Sequence, residues 1–309
     1  MKILITGALG HIGSFILKKS KDIKKIKEFY LVDNLSTNRY CSLFNIKNNK
    51  KFFFFNIDLS KKNSLKNFKK VDYVIHLASI TDAEASIKNK NNIFKKNLGS
   101  FNEILNYCKK NNSKLIHISS TSVYGEQKKE VDENCYDLRP KSPYAIVKLK
   151  EEQKLQKIKN QIDFITLRFG TIAGVSPGMR FHTAVNKFCF NAVNNIPIPI
   201  WKSMENKFRP YLSLKDAFDT IKFILAKNLF DKEIYNVVSE NLKTITIIKE
   251  IKKNVKNIKI IKVNSKLINQ YSYKVSSKKF ELKFFKFKRV IKNEIQDTIK
   301  IFNGLGNVL

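Results

Sequence analysis

The chain of 309 residues is poor in cysteine, in acidic side chains and in long apolar runs. Its four cysteines, Cys41, Cys108, Cys135 and Cys189, lie far apart, and none forms a CxxC pair. Neither a disulfide framework nor a metal site is indicated, and free reduced thiols are expected. No apolar stretch approaches the roughly eighteen residues that cross a bilayer, so no membrane segment is expected. The N-terminal run Ile3-Leu4-Ile5 stops too early for a signal-peptide core and reads as a strand already inside the fold. A cytoplasmic protein follows from this reading. Internal repeats and true linkers are also missing.

Asp and Glu number 26 against 59 Lys and Arg, a formal charge of +33. Such a balance raises the question of a nucleic-acid partner. Lysine is spread through nearly every segment beside many Asn, Ile and Phe, as an AT-rich coding sequence would produce. Runs such as Lys24-Lys25 and Lys61-Lys62 are short and scattered, and no RRM, KH or zinc-finger pattern occurs. A solvated basic surface is expected rather than a specific nucleic-acid site, and its charge can help attract an anionic substrate.

What the chain does have is 43% hydrophobic residues, enough for a sizeable core in one large or two modest domains. The first half alternates short apolar strands with helical stretches. Lys2–Thr6, Glu28–Val32, Lys51–Phe55, Val71–Leu77 and Lys114–Ser119 read as strands. Between about Asn91 and Lys110 the apolar residues Phe94, Leu98, Phe101, Leu105 and Cys108 fall three or four apart, on one helix face. A helix at Pro143–Lys159 and a strand at Asp163–Phe169 follow. Repeated strand–helix–strand units imply an α/β fold with a doubly wound parallel sheet covered on both faces. The second half is less regular. Gly170–Gly178 reads as a loop, Asn194–Pro199 as a break, Ile234–Val238 as a strand, and Ile245–Lys253 and about Lys292–Phe302 as helices.

The segment Thr6-Gly7-Ala8-Leu9-Gly10-His11-Ile12-Gly13 follows the first strand and opens a helix. Gly7 permits a tight turn, Gly10 lets backbone approach a pyrophosphate, and Gly13 lets helix pack close to strand. The helix N-terminus then offers unpaired N–H groups to phosphates. Asp33 ends the second strand, at the spacing of a carboxylate that accepts ribose hydroxyls and repels a 2′-phosphate. NAD is therefore expected over NADP.

These features, with Asn34-Leu35-Ser36-Thr37, Asp58-Leu59 and His76-Leu77-Ala78-Ser79, resemble in order the cofactor motifs of the extended short-chain dehydrogenase/reductases, the NAD-dependent epimerase/dehydratase family. The resemblance implies a Rossmann fold with a smaller α/β substrate-binding domain. By it, residues 1–170 with return segments near 212–240 bind NAD, and residues 171–211 and 241–309 bind substrate. It also implies that Asp58 bonds the adenine amino group, that Leu77, Ala78 and Ser79 line the adenine and pyrophosphate side, and that Asn97 is structural. His76 and His117 read as packed or hydrogen-bonded residues, since no partner completes a metal site.

Tyr144-Ala145-Ile146-Val147-Lys148 is a YxxxK motif, which places both side chains on one helix face, a turn apart. Ser142 can cap this helix, and Pro143 suits its first turn. A phenol is a poor base at neutral pH. A neighbouring ammonium and a positive nicotinamide ring favour its phenolate, and Lys148 could also hold the nicotinamide ribose. Ser119-Ser120-Thr121-Ser122-Val123-Tyr124-Gly125 lies at the carboxyl end of the fifth strand and resembles the family's SSxxVYG segment. By that match Ser120 joins Tyr144 and Lys148 as the catalytic triad, and Ser120, Thr121 and Tyr144 contact substrate. Relatives that eliminate water from C4–C6 carry Asp-Glu where this chain has Thr121-Ser122, which disfavours a 4,6-dehydratase.

Further along, Arg209-Pro210-Tyr211 resembles the family's R-x-Y segment, whose Arg contacts the nucleotide diphosphate. Ser176-Pro177-Gly178-Met179-Arg180-Phe181 resembles the SPxMR segment of a subgroup, which adds Arg180 as a phosphate contact. His182 reads as a helix-surface residue. Two departures are visible. The family's Asn after the sixth strand is Thr171, a substrate contact by position. The late Arg-Pro-Gly-Asp segment is missing, with Asn269-Gln270-Tyr271-Ser272 in roughly its place. The function implied is an NAD-dependent epimerase of nucleotide-diphosphate sugars, at C4, through a transient 4-keto sugar. A net dehydrogenase/reductase or decarboxylase on the same substrates is the alternative. A non-catalytic NAD-binding or nucleic-acid-associated protein is the third reading. The resemblance alone implies a homodimer built on helices Asn91–Lys110 and Pro143–Lys159.

Overall fold

Short runs of Ile, Val, Leu and Phe, bounded by Gly, Asp and Ser, become the strands of one parallel sheet. The computed structural model describes residues 1–46, 50–81, 90–264, 271–288 and 290–302. The first five strands are β1 (Lys2–Thr6), β2 (Glu28–Asp33), β3 (Lys51–Asn56), β4 (Tyr73–His76) and β5 (Lys114–Ser120). Then come β6 (Glu130–Val131), β7 (Phe164–Phe169), β8 (Thr171–Ala173), β9 (Ile198–Trp201) and β10 (Phe208–Ser213). The last are β11 (Ile234–Val237), β12 (Glu240–Lys243), β13 (Ile260–Val263) and β14 (Lys274–Val275). The main sheet has seven strands in the order β11-β7-β5-β4-β1-β2-β3, and every pairing in it is parallel. The order reverses between β1 and β4. That switch point opens a crevice at the carboxyl ends of both strands, where sheets of this kind bind ligands.

The helices are α1 (His11–Lys18), α2 (Lys90–Asn111), α3 (Pro143–Lys157), α4 (Ala184–Val193), α5 (Leu214–Lys227), α6 (Thr244–Asn254), α7 (Lys278–Lys283) and α8 (Ile291–Phe302). Alternation along β1 feeds both faces of the sheet. Ile3 and Ile5 pack with Ile16 of α1 and Phe218 and Ile221 of α5. Leu4 packs on the other face with Phe101 and Leu105 of α2 and Leu155 of α3. A separate core joins Val185 and Cys189 of α4, Ile247 and Ile251 of α6, and Ile291, Ile295 and Ile299 of α8. This smaller unit sits over the carboxyl edge of the sheet through β8, β10 and β12, which form their own sheet.

The early strands and α2, α3, α6 and α8 lie where the sequence places them, within a few residues. Two readings need correction. Gly170–Gly178 is more than a loop, because Thr171–Ala173 forms β8 and pairs in parallel with Tyr211–Ser213 of β10. Three residues between glycines are too few to show a period. The helix α5 is absent from the sequence reading, although Leu214, Ala217, Phe218, Ile221, Ile224 and Leu225 are buried along one face. Ser213 caps it by accepting N–H bonds from Lys215 and Asp216. Among the described residues, no helix is long and apolar enough to cross a membrane, and no group of three or more His, Cys, Asp or Glu could hold a metal ion.

Candidate functional site

The turn after β1 is built so that only glycine fits. Gly7 has φ +63°, and a Cβ there would lie 2.7 Å from the Ala78 backbone nitrogen, across the switch point. A Cβ on Gly13 would lie 2.4 Å from the Ala8 carbonyl oxygen, so α1 starts pressed against the strand that feeds it. The first-turn N–H groups of α1 lack intrahelical partners and form an anion-binding end. The Thr6 hydroxyl ties the other wall. It accepts the Leu77 and Ala78 N–H groups at 3.2 and 3.3 Å and lies 2.8 Å from His76 Nδ1. Asn97 of α2 clamps the chain beyond, accepting from the Ile80 N–H at 2.9 Å and donating to its carbonyl at 3.1 Å. Its structural role is the one expected.

A cavity of about 580 Å³ runs from this loop across the carboxyl edge of the sheet. Gly7, Gly10, His11, Ile12, Gly13, Leu77 and Ser79 line one end, and Ser120, Thr121, Tyr144 and Lys148 line the middle. Thr171, Arg180 and Arg209 line the far end. Fourteen separately chosen residues thus share one cleft. Asp33, Asn34, Asp58, Leu59 and Ala78 are not part of its lining. Asp33 accepts N–H bonds from Leu9 at 3.1 Å and Leu35 at 3.0 Å, and so braces the glycine turn. The Asp58 carboxylate accepts from the Ser60 N–H and hydroxyl. Leu59 is buried in the core.

No Asp or Glu lines the cavity among the described residues, while Lys148, Arg180, Lys187 and Arg209 do. An anionic ligand is favoured there, and a cationic one repelled. Three buried polar atoms in lining residues, His11 Nδ1, His76 Nε2 and Ser79 Oγ, have no hydrogen-bond partner among the described residues. Buried polar atoms rarely stay unpaired. A glycine cradle, unpaired helix-end amides and the lining cations together fit a dinucleotide pyrophosphate and its riboses.

His11 Nε2 lies 2.8 Å from the Gly174 carbonyl, which only accepts, so Nε2 carries the proton and Nδ1 the lone pair. Burial, then the Arg180 charge, hold its pKa down at about 3, so the ring is neutral. Burial followed by the Lys148 charge does the same to His76, also to about 3. Both rings are hydrogen-bonded and neutral, as is His117 beneath them, whose pKa burial lowers.

Around the motif helix, Ser142 accepts the Ala145 N–H at 3.1 Å and Pro143 occupies the first turn, as the sequence predicts. The Lys148 Nζ lies 5.9 Å from the centre of the Tyr144 ring. It also donates to Glu151 Oε2 at 2.8 Å, an ion pair that sequence reasoning missed. The Ser120 and Ser122 hydroxyl oxygens lie 2.8 Å apart at the end of β5. The neighbouring Glu152 turns away from the cavity and takes the buried Arg168 guanidinium, at 2.9 and 2.7 Å.

The substrate end is stitched to the glycine turn. Ser176 Oγ donates to the His11 carbonyl at 2.9 Å, and the Gly178 N–H donates to Ser14 Oγ at 2.9 Å. A Cβ on Gly178 would lie 2.1 Å from the Leu9 carbonyl oxygen, so this contact needs glycine. The segment then delivers Arg180 and His182 into the cavity. His182 is thus not a helix-surface residue. The helix begins after Thr183, and the side chain precedes it. Arg209 lies against the adjacent rings of Tyr271 and Tyr273, 4.9 and 5.2 Å from the two ring centres. The Tyr273 hydroxyl reaches Thr121 Oγ1 at 3.3 Å. Asn269 and Gln270 lie outside the described residues, but Tyr271 and Tyr273 line the cavity where the expected late arginine is missing. Trp201, the single tryptophan, also lines it.

Residues 3–237 match the model of the NAD dependent epimerase/dehydratase family. An uncharacterized UDP-glucose epimerase of Bacillus subtilis (strain 168) is 28% identical over 264 residues, covering 81% of this chain and 82% of the relative. Among solved structures, the UDP-glucose 4-epimerase of Thermus thermophilus in complex with NAD matches with a TM-score of 0.86 at 23% identity, over 98% of this chain and 99% of that one. The dTDP-glucose 4,6-dehydratase of Streptomyces venezuelae with NAD bound gives 0.88 at 19% identity, over 98% and 97%. At these identities the two structures establish a shared fold.

Proposed function

Because the chain belongs to the NAD dependent epimerase/dehydratase family, we propose that it is a nucleotide-sugar epimerase acting at C4 through a transient 4-keto sugar. The observation that carries this reading is the meeting of Ser120, Tyr144 and Lys148 with the glycine turn in one cavity that no Asp or Glu lines among the described residues. Residues 1–170 with 212–240 hold the cofactor in this assignment, and residues 171–211 and 241–309 shape the sugar-nucleotide end. The cofactor contacts are Gly7, Gly10, His11, Ile12, Gly13, Asp33, Asn34, Asp58, Leu59, Leu77, Ala78, Ser79, Tyr144 and Lys148. A homodimer built on α2 and α3 and a cytoplasmic location belong to the same reading.

When bound, NAD supplies the hydride acceptor for sugar oxidation and the hydride for its return. Ser120 bonds the C4 hydroxyl and fixes its direction. Tyr144 takes the hydroxyl proton and gives it back once the keto sugar has presented its other face. Lys148 keeps a positive charge beside the Tyr144 ring. Arg180 and Arg209 hold the diphosphate, a task for guanidinium groups. Elimination from C4–C6 needs carboxyl groups beside Ser120. Thr121 and Ser122 carry only hydroxyls, which favours epimerisation over the dehydratase chemistry of the structurally similar Streptomyces enzyme.

The test is turnover of a panel of nucleotide sugars followed at 340 nm, with product stereochemistry by NMR. The expected result is inversion at C4 with no steady accumulation of NADH. Steady NADH production would replace the epimerase with a net oxidoreductase.

Asp33→Ala is expected to weaken NAD and to shift the NAD-to-NADP preference by about one to two orders of magnitude toward NADP. Asp33 faces Arg39, and burial, opposed by the Asp33 charge, lowers the Arg39 pKa. Without the carboxylate that guanidinium is available to a 2′-phosphate. Affinities for both cofactors measure the effect, and an unchanged preference would move the ribose contact elsewhere.

A further inference from the structure

Behind the Tyr144–Lys148 pair lies a buried group of charges that the proposed mechanism does not use. Lys148 and Glu151 are only 3% and 1% exposed, and their ion pair spans 2.8 Å. The same Glu151 oxygen lies 3.0 Å from His117 Nε2. Burial pushes the Glu151 carboxyl up, but the Lys148 ammonium and the His117 bond outweigh it and hold the pKa at about 2. A carboxylate only accepts, so His117 carries its proton on Nε2, with Nδ1 toward the Thr166 hydroxyl at 3.4 Å. His76 sits beside His117 in register on β4. The Thr6 hydroxyl, already accepting two N–H groups, gives its proton to His76 Nδ1. Both imidazoles are therefore neutral donors at Nε2.

The groups facing Glu151 are thus Lys148 from its own helix, His117 from β5 and His76 from β4. Glu152 is engaged on the other side by Arg168 and Ser119. One ammonium and one carboxylate cancel, and the cluster has no net charge. Stability alone does not call for this arrangement, since a buried ion pair is often replaceable by apolar packing without loss.

We propose that Glu151 is a positioning residue that holds and neutralises the Lys148 ammonium, so that this lysine does not discriminate against the cationic, oxidised form of the cofactor. The proposal rests on the reading above, in which Tyr144 and Lys148 face the nicotinamide. An epimerase must take a hydride and return it, so neither cofactor form can be held at the expense of the other. An uncompensated ammonium at this place would favour the neutral reduced ring and stall the second half of the cycle. Its field is strong because the cluster is shielded from water.

The test compares NADH and NAD affinities of the full chain, wild type against Glu151→Gln and Glu151→Asp. NADH binding is read by energy transfer from Trp201, and NAD by competition. Glu151→Gln removes the charge and keeps one acceptor oxygen for Lys148 and His117, the other oxygen becoming an NH2 donor. The ratio of affinities is expected to move toward NADH by about tenfold, the scale of one unit charge in a protein interior. Glu151→Asp is expected to restore the wild-type ratio. Should the Gln variant fail to fold, Glu151→Met removes the charge with apolar packing and carries the same expected shift. A folded, cofactor-binding neutral variant with the wild-type ratio overturns the proposal, whatever its turnover. A wild-type chain that binds neither cofactor form overturns the cofactor reading and this proposal with it.

Discussion

Tyr144→Phe is expected to lower kcat by about a thousandfold, within the range that a positioned acid–base group supplies, while NAD stays bound. The ring is half-buried on the first turn of α3, and Lys148 lies over it at 5.9 Å. Phenylalanine keeps that ring and its packing and removes only the oxygen that takes the proton. Lys148 remains anchored by Glu151 and Ser120 by Ser122, so the rest of the site is undisturbed. The loss should fall on kcat and kcat/KM together, the signature of an interaction made in the transition state. Turnover by NMR and cofactor content of the purified variant are the two measurements. Near-normal turnover would remove Tyr144 from the chemistry. Loss of bound cofactor would instead make it a binding residue.

The second large effect concerns acid. His11 and His76 are buried and neutral, with pKa values lowered from 6.5 to about 3. In the unfolded chain both titrate near their ordinary value. Between about pH 6.5 and 3 the unfolded state therefore binds more protons, and stability falls as pH falls. At pH 5 each histidine is expected to cost about 2 kcal/mol relative to pH 7.5, so that the pair costs about 4 kcal/mol. That is a large share of the roughly 5 to 15 kcal/mol that holds a domain together. Unfolded carboxylates are still mostly charged at pH 5, so Glu151, held at about 2, adds little in this window. Urea midpoints at the two pH values measure the drop. His76→Gln should recover about half of it, whatever its effect at pH 7.5. A variant with the full wild-type drop would show that His76 is not buried neutral. The pair also ties acid stability to the site, because both rings line the cavity.

Much of this molecule is legible without coordinates. The glycine spacing after β1, Asp33 at the end of β2 and the YxxxK pair with its Ser142 cap each have a local cause, a turn, a strand end or a helix face. Each stands where its spacing predicts. What the sequence hides has no local cause. Thr171–Ala173 is a strand only because Tyr211–Ser213 lies beside it. His182 enters the cavity because the preceding residues are bonded to His11 and Ser14, more than 160 positions earlier in the chain. Tyr271 and Tyr273 meet Arg209 from over 60 residues away, and no periodicity could announce it. Glu151 is readable as a helical residue three positions past Lys148, but its burial and its bond to His117 are not.

The amino-acid order by itself determined the parallel sheet, the dinucleotide turn and the tyrosine–lysine helix, because backbone freedom at glycine and side-chain periodicity act over a few residues. Only the folded chain decided which charges meet behind that helix and which basic side chains share the cleft. Those outcomes depend on electrostatics across strands that are distant in the chain, and proximity of that kind exists only after the sheet has closed.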